Sequence, residues 1–354
     1  MRIVLLPGDG VGPEVLDAVQ LVLEAVASDA SVQTLPIGYA AILSEGGALP
    51  DRTLEGCRAA DAILLGAVGD PREEGLPPAQ QPVAGLLRLR RELGCYANLR
   101  PVRVPEALLQ FSPFRADAVR GTDLIIVREL TGGLYYGEPR GIEPDGSSAW
   151  NTMRYSVEEI ERVVRLGAEL ADGRRGRLTS VDKSNVLEVS RLWRDVANRV
   201  ADEFRDVHFE NMLVDRTAME LGVRPTHFDV LVMGNLFGDI LSDQAGALPG
   251  SLGLLGSASL GGVTDLYEPV HGSAPDIAGQ GVANPAGMIH SLALMLRYSF
   301  AREDAAQAVE QALDQAFADG FRTADLVPRD GEAQRRPVPC AAFAQAVAER
   351  IEVD

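Results

Sequence analysis

Lys183 is the only lysine in this chain; the rest of its 33 basic residues are arginines. An arginine keeps its proton near neutral pH, whereas a lysine can release one where its surroundings favour the neutral amine. A lone lysine is therefore a candidate for proton transfer. The plainer readings are chance survival in an arginine-biased lineage and a structural ion pair. Asp239 and Asp243 stand four apart in the run 235–243, so a helix would put both on one face. Like charges there repel unless a cation lies between them, and hard oxygen ligands suit Mg²⁺ or Mn²⁺, not zinc. The plainer reading is a solvated helix face. Arg90, Arg100 and Arg128 can each fork onto a carboxylate, although in so arginine-rich a chain a single arginine is ordinarily a surface residue.

These residues need elements to hold them. Residues 2–6, 62–66, 124–127, 178–181 and 230–233 read as buried strands, and Lys183 comes just after the fourth. The acidic run 235–243 directly follows the fifth, at a strand's carboxyl end, where α/β sites gather. Strands alternating with helical stretches predict an α/β architecture with a buried, largely parallel sheet. Ser156-Val157-Glu158-Glu159 is a capping box that opens a helix. Residues 285–300 and 305–317 read as helices. Gly8-Asp9-Gly10-Val11-Gly12 is not the dinucleotide fingerprint G-x-G-x-x-G. It reads first as a tight strand-to-helix turn, with nearness to a cofactor as the second reading. No composition shift marks a domain boundary.

The chain has 354 residues, enough for about two domains. Its net charge of -18 argues against tracking nucleic acid, but leaves room for local basic sites that bind small anions. The first six residues are too short for the apolar region of a signal peptide, and no stretch has transmembrane length. The 3 cysteines, Cys57, Cys95 and Cys340, are widely spaced and fit neither a disulfide framework nor a zinc site. A reducing cytoplasm is the expected compartment, with no membrane partner. The four histidines show no metal spacing, and no G-x-S-x-G elbow is present.

Six segments, in order along nearly the whole chain, together resemble the β-decarboxylating dehydrogenases of the isocitrate/isopropylmalate family. They are 6–14 (LPGDGVGPE), 96–101 (YANLRP), 128–138 (RELTGGLYYGE), 181–188 (VDKSNVLE), 235–243 (NLFGDILSD) and 268–279 (EPVHGSAPDIAG). The runs LTGG and PGSLGLL resemble the isopropylmalate branch.

That resemblance implies a two-domain α/β fold with a central mixed sheet, not a Rossmann fold. Residues 1–95 and 250–354 would form a cofactor-side domain, and 96–249 a central domain with the dimer interface. The implied reaction is NAD-dependent oxidative decarboxylation of 3-isopropylmalate to 2-oxo-4-methylpentanoate, in leucine biosynthesis. Arg90, Arg100 and Arg128 would bind substrate carboxylates, with Leu86 and Leu87 lining an apolar pocket. Asp215, Asp239 and Asp243 would hold Mg²⁺ or Mn²⁺. Lys183 would be the general base, and Tyr135 the acid that protonates the later enolate. In the family Lys183 and Asp215 reach across from a second subunit, so a homodimer with shared sites is implied. Glu268, His271, Gly272, Ser273, Ala274, Asp276, Ile277 and Asn284 would bind the cofactor. Asp276 can accept from ribose hydroxyls and would repel a 2′-phosphate, which favours NAD; the plainer reading is a turn cap. One departure stands out. Val83 occupies a position where relatives usually carry Glu, which leaves open the same chemistry on D-malate, tartrate or another alkylmalate. A non-catalytic homologous subunit is the reading from another class, and the presence of Lys183, Tyr135 and the three aspartates argues against it.

Overall fold

A computed structural model describes residues 1–326 and 337–352. Its strands are β1 (Arg2–Gly8), β2 (Ser31–Thr34), β3 (Ala62–Ala67), β4 (Ala97–Arg103), β5 (Asp123–Glu129), β6 (Gly141–Ile142), β7 (Ala149–Trp150), β8 (Arg177–Asp182), β9 (His208–Leu213), β10 (Val230–Met233), β11 (Gly256–Leu260) and β12 (Asp265–Pro269). The chain divides into two compact units. The first is Met1–Cys95, Pro105–Pro113 and Pro249–Asp354; the second is Tyr96–Val104 and Phe114–Leu248.

In the first unit the strands run β2-β1-β3-β12-β11. All pairs are parallel except β11 with β12. Every residue of β3 is buried, as its unbroken apolar run predicts for a strand covered on both faces. The helix Gly12–Val26 buries Val15, Val19, Val22, Leu23 and Val26 at helical spacing. The helix Ala286–Tyr298 is apolar almost all round and correspondingly buried.

The second unit has the strand order β4-β5-β10-β8-β9. Again four strands are parallel and one, β4, is antiparallel to its neighbour. The sheet is thus mixed, as expected. Ser156 caps the helix Val157–Asp172 as its sequence predicts: Glu159 N donates to Ser156 Oγ at 3.2 Å, and Ser156 N to Glu159 Oε2 at 2.7 Å. That helix buries Ile160, Val163, Val164 and Ala168. A short antiparallel ribbon, β6 with β7, also belongs to this unit.

Candidate active site

In the second unit the parallel strands β5, β10, β8 and β9 lie side by side, so their carboxyl ends open on one edge of the sheet. Arg128 and Glu129 end β5, Lys183 follows β8, Asp215 stands two residues after β9, and the helix Asn235–Gly246 follows β10. The register sets Met233 opposite both Arg128 and Val181, and Asp182 opposite Leu213. Strand order alone therefore lines up Arg128, Lys183, Asp215 and the helix of Asp239 and Asp243.

The helix Asn235–Gly246 carries Asp239 and Asp243 one turn apart, and an arginine meets each. Arg128 Nη1 donates to Asp239 Oδ1 at 2.6 Å, and Tyr135 Oη to Asp239 Oδ2 at 2.6 Å. Arg100 Nη1 donates to Asp243 Oδ1 at 3.0 Å and to Ser242 Oγ at 2.7 Å. Both arginines are buried, and neutral acceptors aim them. Asn98 Oδ1 takes Arg100 Nε at 2.8 Å. Asn235 Oδ1 takes Arg128 Nε at 3.0 Å and Nη2 at 2.8 Å. Gly238 lets the helix approach this closely, because a Cβ there would lie 2.5 Å from Arg128 Cγ.

Tyr135 sits at the end of the turn Gly133–Tyr135. Burial, followed by the bond to Asp239, pushes its phenol up to about 12, so it carries a proton at neutral pH. Desolvation also raises the Asp243 carboxyl; Arg100 pulls it back and the like charge of Asp239 raises it further. Two oxygen ligands of like charge on one helix face suit a hard dication. Asp215 is not brought to them. Among the described residues, no three acidic, histidine or cysteine side chains converge.

Asp215 pairs instead with Lys183, whose Nζ donates to Asp215 Oδ1. That bond draws the Asp215 carboxyl below its ordinary range. Lys183 is presented by a fixed turn. The buried Asp182 carboxylate accepts from Ser184 N at 2.8 Å and from Arg194 Nε at 2.7 Å and Nη2 at 2.9 Å.

Arg90, Leu86 and Leu87 belong to the first unit, on the helix Pro82–Leu93. Arg90 Nη2 donates to Glu268 Oε1, and both side chains are buried. Removing one partner of such a pair costs about 3–5 kcal/mol, so Glu268 serves at least to hold Arg90. Leu86 and Leu87 are half-buried. Val83, in the first turn of the same helix, is 48% exposed.

The predicted cofactor residues after Glu268 lie in the loop between β12 and the helix Ala286–Tyr298. The glycine-rich segment anchors that loop. Val11 N donates to Ser273 O at 2.8 Å. A Cβ on Gly10 would meet Ser273 O at 1.9 Å, and its φ of +58° also excludes most side chains. The buried Asp9 carboxylate accepts from Tyr39 N, Ala40 N and Gly69 N, each at 2.9 Å. Glu14 takes Gly281 N at 3.1 Å and Ala283 N at 2.8 Å. The tight-turn reading of 8–12 therefore holds, and the turn also positions the loop. Asp276 and Gly272 are exposed in it. Asn284 Nδ2 donates to Asp325 Oδ2 at 2.9 Å. Burial pushes the His271 imidazole down, and its Nε2 is enclosed with no hydrogen-bond partner among the described residues. A buried, orphaned ring nitrogen in the same loop as an exposed carboxylate fits a polar ligand such as a nucleotide.

Asp9, Glu14, Asn98, Asn235 and Ser242 were not picked out from the sequence. Spacing could have found some of them: Asn98 and Arg100 share a strand face, and Asn235 precedes Asp239 by one helical turn.

The model of isocitrate/isopropylmalate dehydrogenases matches residues 2–347. A 3-isopropylmalate dehydrogenase of Moorella thermoacetica is 54% identical over 92% of this chain and 93% of its own length. One from Aquifex aeolicus is 51% identical over 92% of this chain and 91% of its own. Among solved structures, isocitrate dehydrogenase from Methylococcus capsulatus superposes with a TM-score of 0.88 at 36% identity, covering 99% of each chain. With these motifs, this fold and these relatives, the chain belongs to the isocitrate/isopropylmalate dehydrogenase family and is a β-decarboxylating dehydrogenase.

Proposed function

We infer that this chain catalyses the NAD-dependent oxidative decarboxylation of 3-isopropylmalate to 2-oxo-4-methylpentanoate, the leucine-pathway reaction, with Mg²⁺ or Mn²⁺. The observation that carries the reading is the grouping of Arg100, Arg128, Tyr135, Asp239 and Asp243 at one sheet edge, in a chain above half identical to isopropylmalate dehydrogenases. The isocitrate relative is only 36% identical. Half-buried Leu86 and Leu87 suit an isopropyl group, whereas a third carboxylate beside them would lose hydration without gaining a partner.

When bound, NAD supplies the hydride acceptor and the dication supplies the electrophile that acidifies the hydroxyl and favours loss of CO₂. The protein does the rest. Arg100 and Arg128 pair with substrate carboxylate oxygens, and Arg90 contributes a further guanidinium. Lys183 Nζ takes the hydroxyl proton as the alcohol is oxidised. Tyr135 Oη delivers a proton to the carbon that CO₂ has left. Asp239 and Asp243 hold the dication, joined by Asp215. Asp276 accepts from the ribose hydroxyls, and its charge disfavours NADP.

The active unit is a homodimer in which Lys183 and Asp215 of one subunit serve the arginines and aspartates of its partner. One chain keeps Asp215 with Lys183 and away from the other two carboxylates. Around these residues large apolar side chains are exposed: Met219 (59%) and Val223 (65%) on the helix that begins beside Asp215, and Ile240 (58%) on the helix of Asp239. Ile142 and Trp150 on the β6–β7 ribbon are exposed as well. A second copy would cover them. The compartment is the cytoplasm. The three cysteines are free and buried, and no helix among the described residues is long and apolar enough to cross a membrane.

Mixing two inactive variants, Lys183→Ala and Asp239→Asn, tests the shared site. Each mixed dimer would hold one intact site, so subunit exchange should restore about a quarter of wild-type activity. No recovery, with exchange verified by mass spectrometry, contradicts the shared site.

A further inference from the structure

We propose that Asn235 is a positioning residue for Arg128: an uncharged acceptor that aims the guanidinium without neutralising it. This rests on the reading of Arg128 as a carboxylate binder. Arg128 is buried in a polar pocket. Its Nη1 meets Asp239, while the edge formed by Nε and Nη2 meets one atom, Asn235 Oδ1, at 3.0 and 2.8 Å. Nε also donates to the Asn235 backbone carbonyl at 3.1 Å.

Asn235 is fixed from behind. It is 1% exposed. Its Nδ2 donates to Gly132 O at 3.2 Å, which turns Oδ1 toward the guanidinium. Its backbone N donates to Tyr155 Oη at 2.7 Å. Gly132 is anchored in turn, because its N–H donates to the buried Glu129 carboxylate at 2.8 Å, as do Thr131 N at 2.9 Å and Thr131 Oγ1 at 2.8 Å. The ring of Tyr155 packs edge-on against Trp193, with centroids 5.5 Å apart. A linked set of buried groups thus converges on one amide oxygen.

The amide matters because it has no charge. A carboxylate of the same shape at 235 would form a charge-assisted pair with Arg128. Arg128 would then face Asp239 and a second anion, and its attraction for a substrate carboxylate would fall. The Gly132 carbonyl would also lose its donor.

The test is Asn235→Asp in the full-length enzyme, assayed by NADH formation from 3-isopropylmalate at saturating Mn²⁺ and NAD. The KM for 3-isopropylmalate should rise about ten- to a hundredfold, the scale of one weakened charge-assisted bond. The kcat should stay within about threefold, and the NAD KM and Mn²⁺ half-saturation should not move. A purely structural role would lower Tm and kcat together and leave this split absent. An unchanged KM, or a fall in kcat alone, overturns the proposal. If Asn235→Asp does not fold, Tyr155→Phe replaces it. Loss of one neutral acceptor behind Asn235 should raise the same KM about three- to tenfold, and an unchanged KM overturns the proposal there too. Arg128→Gln separates the underlying reading. A wild-type KM in that variant removes Arg128 as a carboxylate binder. A raised KM there, with an unchanged KM in Asn235→Asp, defeats the role of Asn235 alone.

Discussion

Tyr135 and Arg128 divide the Asp239 carboxylate between them. The phenol donates to Oδ2 and the guanidinium to Oδ1, each at 2.6 Å. One aspartate thereby aligns the proposed proton donor and the proposed anion-binding cation on the same helix face. Removing the phenol should affect the proton step far more than substrate binding. Tyr135→Phe should lower kcat about 10²- to 10⁴-fold with KM changed little. Single-turnover mixing that detects NADH and released ketone separately checks this. A raised KM with kcat unchanged would assign Tyr135 to binding instead.

Lys183 pairs with Asp215, and a purely structural ion pair would accept an arginine. A base would not, because a guanidinium does not give up its proton. Lys183→Ala and Lys183→Arg should therefore both lose about 10²-fold or more of kcat. Circular dichroism should show both folded. Near-normal turnover in Lys183→Arg would return this residue to the structural reading.

Asp276 is exposed in a loop whose backbone is pinned by Val11 and Glu14. Its charge, not its fold, should set the nucleotide preference. Asp276→Lys should shift the ratio of kcat/KM for NAD over NADP toward NADP by about one to three powers of ten, the range of a reversed charge a few ångströms from a phosphate. An unmoved ratio would leave Asp276 as a turn residue.

Glu220 lies on the helix Val214–Val223, whose first turn carries Asp215. Its bonds from Arg224, and secondarily from Arg216, pull its carboxyl down to about 2. An unperturbed glutamate titrates near about 4.3. The folded state therefore binds fewer protons than the unfolded one in this window. The stabilising contribution is complete above the unfolded value and is lost as pH falls toward the folded one. Urea midpoints should decline across that interval, and Glu220→Gln should flatten part of the decline. Identical acid profiles would contradict this.

Much of the architecture was legible in local pattern. The wholly apolar runs of β3 and β10 are buried at every position, and the capping box at Ser156 forms both of its bonds. Lys183 and the helix of Asp239 fall just past strand ends, as the runs before them predict. What stayed hidden depends on partners far apart in sequence. Arg90 and Glu268 are 178 residues apart, and nothing local marks them as a pair. Asp9 gathers two amides from the first turn of the helix Gly38–Glu45 and one from the loop after β3, so within its glycine-rich segment it reads only as a turn residue. Asn98 and Asn235 are neutral and unremarkable by type. Asn98 lies two residues from Arg100 on one strand face, but the work of Asn235 appears only once strand order has placed it against Arg128.

The most direct measurement is NADH formation by the purified protein with Mn²⁺, offered 3-isopropylmalate, D-malate, tartrate and isocitrate in parallel. A clear preference in kcat/KM for 3-isopropylmalate is predicted, with Val83, exposed in the first turn of its helix, tolerated in place of a glutamate. A preference for D-malate, tartrate or isocitrate would contradict the assignment of substrate. In that case Val83→Glu should restore turnover of 3-isopropylmalate if the pocket alone is responsible. Silence on all four acids, with Mn²⁺ bound and the fold intact, would contradict the catalytic reading itself.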